Sequence, residues 1–227
     1  MPKHLRRDLE NLKKEMLYMG SMVEGAINKA INSLVARNTE WAEDVMKGDD
    51  EIDAKENEIQ EECLKVLALH QPVAEDLRFI ITVMKVNNDL ERMGDLAVNI
   101  AERGVYLSTQ PPIRAPLNFS KMMERVQAMV HESLNALVNS DTALARKVWR
   151  EDDAVDEMNK EMYVALQDLM REDPDTIQRA IHTLSASRHL ERIADLATNI
   201  AEDIIFMAEG EIVRHRLEDY LKQENQA

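Results

Sequence analysis

Residues 90–102 read LERMGDLAVNIAE, and residues 190–202 read LERIADLATNIAE. Ten of the thirteen positions are identical, and the other three (Met93/Ile193, Gly94/Ala194, Val98/Thr198) are small or apolar swaps. Near-identity of this length marks an internal duplication, so whatever the chain folds into must be built twice. The duplication reaches further. Residues 41–53 (WAEDVMKGDDEID) align with residues 144–156 (LARKVWREDDAVD) at an offset of 103.

On a helix, with about 100° per residue, Glu91, Asp95, Asn99 and Glu102 fall on one polar stripe roughly 80° wide. Val86, Leu90, Met93, Ala97 and Ile100 form the apolar stripe nearly opposite, so the acids point away from the core of their own bundle. Acids four apart on one face repel by a few tenths of a kcal/mol per pair. Each copy repeats that cost with a second pair, Asp49/Asp53 and Asp152/Asp156. A proline-marked turn lies between the pairs, Gln71-Pro72 in the first copy and Asp173-Pro174 in the second.

The spacing about those turns is even. From Pro72 it is nineteen residues to Asp53 and to Glu91, and twenty-three to Asp49 and to Asp95. In the second copy the midpoint of Asp156 and Glu191 falls between Asp173 and Pro174. If each turn joins antiparallel helices, each copy holds four carboxylates at one height, about 28 Å from the turn at 1.5 Å per residue. A single D-x-x-x-D is ordinarily a solvated face. Two level quartets repeated across a duplication instead point to a bound cation. All-oxygen donors favour hard ions: magnesium, manganese, calcium or iron. Asn99 and Asn199 add neutral oxygens beside Asp95 and Asp195 or orient the carboxylates. Zinc fits less well, because thiolates and imidazoles are absent from the stripes.

The rest of the chain reads as helix. Charged residues make up 31% of it, with six glycines, six prolines, fourteen methionines and 4% aromatics, and no stretch alternates as a strand does. The pattern predicts helices over 5–37, 39–69 and 74–106, then a Pro-rich break at 107–117. It restarts over 119–138, 141–171 and 174–209. Asn38 or Thr39, Ser140 or Asp141, and Asp173 are candidate N-caps. The expected fold is all-α: two tandem antiparallel three-helix bundles, 1–108 and 117–210, related by a pseudo-twofold. A tail at 211–227 follows, with an amphipathic pattern. Gly48 stands inside the second helix at a cost of about 1 kcal/mol relative to alanine.

A net charge of −15 argues against nucleic acid as a partner and against metal-free docking on anionic lipid. Cys63 is the only cysteine, which fits a reducing compartment. The N-terminal MPKHLRRDLENLKKEM lacks the apolar segment of a signal peptide. No run approaches the ~20 apolar residues of a membrane span. The expected location is therefore cytoplasmic, with peripheral membrane association left open. None of the six histidines has glutamate three residues before it, which disfavours the Glu-x-x-His chemistry of di-iron bundles. Most methionines fall on core phases. Two other readings stand beside a metal-binding adaptor: a metal-dependent hydrolase or oxidase, and a metal-free helical interaction module.

At LERMGDLAVNIAE and LERIADLATNIAE, with the preceding GDDEID and EDDAVD, the chain resembles the PhoU family over roughly residues 5–207. The resemblance implies two three-helix bundles whose E/D-x-x-x-D motifs bind multinuclear metal clusters on the surface. Its motif positions here are Asp49/Asp53 with Glu91/Asp95, and Asp152/Asp156 with Glu191/Asp195, all acidic. It implies regulation rather than catalysis. Such proteins restrain phosphate uptake and phosphate-starvation signalling. They couple the phosphate ABC transporter to a sensor histidine kinase, as homodimers or larger assemblies.

Overall fold

Apolar residues at three- and four-residue spacing decide which side of each helix is buried, and the caps decide where each begins. The computed structural model describes residues 3–113 and 119–210, and the pattern at 211–227 lies outside the described residues. Six helices form: α1 (Lys3–Ala36), α2 (Thr39–His70), α3 (Ala74–Ser108), α4 (Phe119–Asn139), α5 (Thr142–Glu172) and α6 (Ile177–Glu209). No strand occurs among the described residues.

Two caps repeat at the offset of 103. Asn38 takes an extended conformation and its side chain accepts from the Trp41 amide at 3.1 Å. Asp141 does the same for the Leu144 amide at 3.0 Å. Gln71 ends α2 in the left-handed region (φ 45°), its N–H bonded to Leu67 O, and Pro72 then prevents the helix from continuing.

The start of the last helix differs from expectation. Asp173 caps the Asp175 amide at 3.2 Å with Pro174 behind it, but Pro174–Thr176 is a 3₁₀ turn and α6 proper begins at Ile177. The Asp173 carbonyl is already taken by the Thr176 amide (3.0 Å) and hydroxyl (2.6 Å). A bond to it from four residues on would have to displace both.

Contacts along α3 and α6 fix how the copies meet. Arg78 Nε donates to Met207 O (3.1 Å), Lys85 Nζ to Asp203 Oδ1 (2.6 Å), and Tyr106 stacks on His182 with centroids 3.8 Å apart. Partners fall along α6 as numbers rise along α3, so the two helices are antiparallel. The same holds for α1 and α4, where Gly20 lies against Leu134 and Glu24 meets His131 Nδ1 at 2.9 Å. A pseudo-twofold therefore passes through both interfaces. The outer helix α2 covers α1 and α3, and α5 covers α4 and α6.

The core repeats as the axis requires. Met19/Met122, Val23/Val126 and Ile27/Val130 are buried at one offset, and Leu90/Leu190, Met93/Ile193 and Ile100/Ile200 at the other. Methionines fill the seams: Met16, Met19, Met93, Met122 and Met129 are at most 1% exposed. Cys63 is buried, and burial pushes its thiol up to about 12, so it is a packing residue and not a nucleophile.

Gly48 has no such packing reason, since a Cβ there would meet nothing within 4 Å. Gly48→Ala is expected to stabilise the protein by about 0.5–1 kcal/mol. A urea melt checks this as a higher midpoint with an unchanged slope.

Candidate metal centre

The register of α2 on α3 is set by Asn87, whose amide donates to Glu56 O at 2.8 Å, and by Gly94. A Cβ on Gly94 would come within 3.2 Å of the Ile52 side chain and 3.6 Å of the Asp49 carboxylate. In this antiparallel register Asp53 is level with Glu91, and Asp49 with Asp95, as the even spacing about Pro72 predicts. The second copy matches it. Ser187 stands where Asn87 does and donates to Asn159, which stands where Glu56 does.

Members of each quartet are close enough to act on one another's charge. Burial holds Glu91 above its ordinary value, and Asp95, Glu56, Asp53 and Asp49 push the same way. Asp49 is raised by burial and then by Asp53, Asp95 and Asp50. In the second copy, burial with Asp195 and Asp156 pushes Asp152 up to about 6, against a hydrogen bond from Thr198. Glu191 is raised by burial, Asp195 and Asp156, and Asp195 by burial and Asp156. None of the eight carboxylates forms an ion pair with another described residue. The Arg103 guanidinium meets Glu102 instead, at 3.6 Å.

Asp152 carries a further signal. Its Oδ1 is buried with no hydrogen-bond partner. An acceptor left bare costs roughly 1–3 kcal/mol, and more when charged. A donor set of carboxylate and amide oxygens with one orphaned oxygen suits a hard cation. The side chains nevertheless stand apart: no three His, Cys, Asp or Glu among the described residues are grouped to hold an ion.

The structure adds what the spacing could not show. Arg92, Asp95, Leu96 and Asn99 face Arg192, Asp195, Leu196 and Asn199 across a cleft of about 440 Å³ between α3 and α6. Both quartets therefore open on one face, on either side of the pseudo-twofold. Asn99 and Asn199 belong to this cleft. The Asn99 amide nitrogen donates to Asp95 O (2.8 Å), so its oxygen is the atom it can offer. Symmetry ends at the last stripe member, since Glu102 is exposed and Glu202 is buried. Glu56 was missed. It continues the helical spacing from Asp49 and Asp53, but Asn159 in the other copy hides it from a reading that looks for repeated acids.

A model of the PhoU domain matches the chain twice, at residues 16–104 and 119–204. The chain belongs to the PhoU family. It is 45% identical over 212 residues to the phosphate-specific transport system accessory protein PhoU homolog of Aquifex aeolicus, spanning 93% of this chain and 96% of that one. The corresponding protein of Pseudomonas aeruginosa is 39% identical over 209 residues, 92% of this chain and 86% of the relative. The crystal structure of PhoU from Pseudomonas aeruginosa superposes with a TM-score of 0.88 at 38% identity, covering 91% of this chain and 99% of that one. The phosphate transport system regulatory protein PhoU from Streptococcus pneumoniae gives 0.83 at 28% identity, covering 92% and 99%.

Two outcomes follow for this member of the family. With its pKa raised from 3.8 to about 6, Asp152 opposes folding when charged. That penalty is absent below the ordinary value, grows between the two values and is full above the higher. Metal-free Asp152→Asn is therefore expected to be more stable than the parent at neutral pH, on the order of 1 kcal/mol after solvent screening. The advantage vanishes in acid, as thermal melts across the pH range would show.

The second outcome concerns Gly94. The second copy pairs Ala194 with Val155 where the first pairs Gly94 with Ile52. Gly94→Ala alone is expected to destabilise by about 1 kcal/mol. Adding Ile52→Val should recover most of that, a coupling that a double-mutant cycle measures.

Proposed function

We propose that this protein is a regulatory adaptor of phosphate transport, and that its two acid quartets bind hard metal ions. Carrying the reading is the family match in both copies, with relatives over nine-tenths of the chain that are accessory proteins of a phosphate-specific transport system. The partners are the phosphate ABC transporter and its sensor histidine kinase, the sense of control is negative, and the working unit is a homodimer. The protein acts by binding, not by turnover. No helix among the described residues is long and apolar enough to cross a membrane, so it reaches the transporter as a peripheral partner.

Asp49, Asp53, Glu91 and Asp95 hold ions in the first copy, and Asp152, Asp156, Glu191 and Asp195 in the second. Asn99 and Asn199 contribute from the cleft side. Burial and then mutual repulsion raise five of these carboxylates; bound cations relieve the repulsion and turn a strongly negative face into one able to meet an anionic partner. The raised values favour this: protons already bind more tightly here than to free carboxylates, and a divalent ion gains from the same field.

Glu91→Ala with Asp95→Ala is expected to lower the metal retained after loading and dialysis, with unchanged helix content by circular dichroism. Adding Glu191→Ala and Asp195→Ala should remove the rest. Elemental analysis that finds the quadruple variant as metal-rich as the parent would overturn the site. Co-purification with the phosphate transporter and sensor kinase, with and without phosphate, tests the adaptor role separately.

A further inference from the structure

Because α3 and α6 pack about a pseudo-twofold, each pair of facing positions occurs twice, once at each end of the interface. At one end the pairing is closed. Lys85 Nζ sits 2.6 Å from Asp203 Oδ1, whose side chain is 6% exposed. The ammonium also lies 5.5 Å from the Phe206 ring centroid, and Thr82 Oγ1 donates to Asp203 O at 3.4 Å.

At the other end the counterparts are Ser185 for Lys85, Arg103 for Asp203, Tyr106 for Phe206 and His182 for Thr82. A guanidinium stands where the carboxylate was, and the facing position has lost its charge. Ser185 is also several atoms shorter than lysine, and the ring that covers Tyr106 here is His182 of α6, where Lys85 of α3 covers Phe206 at the first end.

Three buried side-chain nitrogens at this end, Arg103 Nε, His182 Nδ1 and His189 Nδ1, have no hydrogen-bond partner. His182 stacks on Tyr106, and His189 Nε2 lies 3.3 Å from Ser185 Oγ. A hydroxyl proton given to Nε2 leaves the neutral His189 ring with its proton on Nδ1, a donor. Arg103 makes its carboxylate contact at 3.6 Å with Glu102, on its own helix and half exposed. A long, solvated pair of this kind is easily exchanged. The Arg103 charge acts on both imidazoles, so the cluster is electropositive even with neutral rings.

We propose that Arg103, His182, His189 and Ser185 form a binding site for a small tetrahedral oxyanion, inorganic phosphate or sulfate, independent of the acid quartets. One guanidinium and two ring N–H groups supply more donors than a planar carboxylate uses, which favours the tetrahedral ion, and the Ser185 hydroxyl acts by holding the His189 tautomer. The Arg103 side chain is 30% exposed and is the part an incoming anion meets first, exchanging Glu102 for the ligand.

The test is titration of the chelator-treated full-length protein with inorganic phosphate, and separately with sulfate, following the imidazole resonances of His182 and His189 by NMR. Saturable shifts at both rings are expected with either ion. Arg103→Gln should weaken binding by about tenfold or more, and Arg103→Lys by less. The double variant Arg103→Asp with Ser185→Lys copies the closed pair of the other end, so it should fold and bind no anion. It provides the readout should Arg103→Gln fold poorly. No saturable shift in the parent, or equal binding by the double variant, overturns the site. Phosphate binding that appears only after metal loading and survives Arg103→Gln belongs to the acid quartets and also overturns it.

Discussion

The antiparallel packing of α3 on α6 is the constraint from which the rest follows. It brings Met93 and Ile193 to the middle of the molecule and sends the two LER…N stripes to the same side of it. Several of the molecule's buried polar side chains belong to these two helices, including Asn87, Asp89, Ser187, Thr198 and Asp203. A buried carboxylate such as Asp203 is tolerable only with a partner, and Lys85 from the other helix supplies it. The interface is thus specified by polar pairing as well as by apolar fit. Sliding one helix along the other would strand Asp203 and break the bond from Arg78 to Met207 O.

Because the chain is duplicated, each half serves as a control for the other. Gly94 with Ile52, against Ala194 with Val155, is a size exchange between touching positions, the expected outcome when packing density must be kept. Lys29 pairs with Asp44 at 2.7 Å in one half, and Glu132 with Lys147 at the same positions in the other, with the charges reversed. Met22 and Gly48 line a groove of about 590 Å³ between α1 and α2, whereas their counterparts Arg125 and Glu151 form an ion pair. Positions that keep their chemistry in both halves, above all the eight acids, stand out against this drift.

Those acids are held where folding alone would not place them. Burial and mutual repulsion raise five of them, and one oxygen of Asp152 is left bare. A surface selected only for stability would intersperse lysines and arginines, as the outer faces of α2 and α5 do with Lys47, Lys65, Lys160 and Arg171. Local cost repeated in both copies is what the proposed binding of cations would offset.

Much of this was legible in the sequence, because it depends on spacing along single helices and about single turns. The duplication, the helix boundaries to within a few residues, the buried stripes and the level of each quartet all come from local periodicity and from the Pro72 and Pro174 turns. What the chain could not announce is what the pseudo-twofold brings together: both quartets on one face, Arg92 opposite Arg192 across a shared cleft, Glu56 joining the first cluster, and Arg103 beside His182 and His189. These residues lie on different helices, many of them in different halves. Their meeting depends on how the two halves dock, which the matching of whole surfaces decides and the periodicity of one helix does not encode.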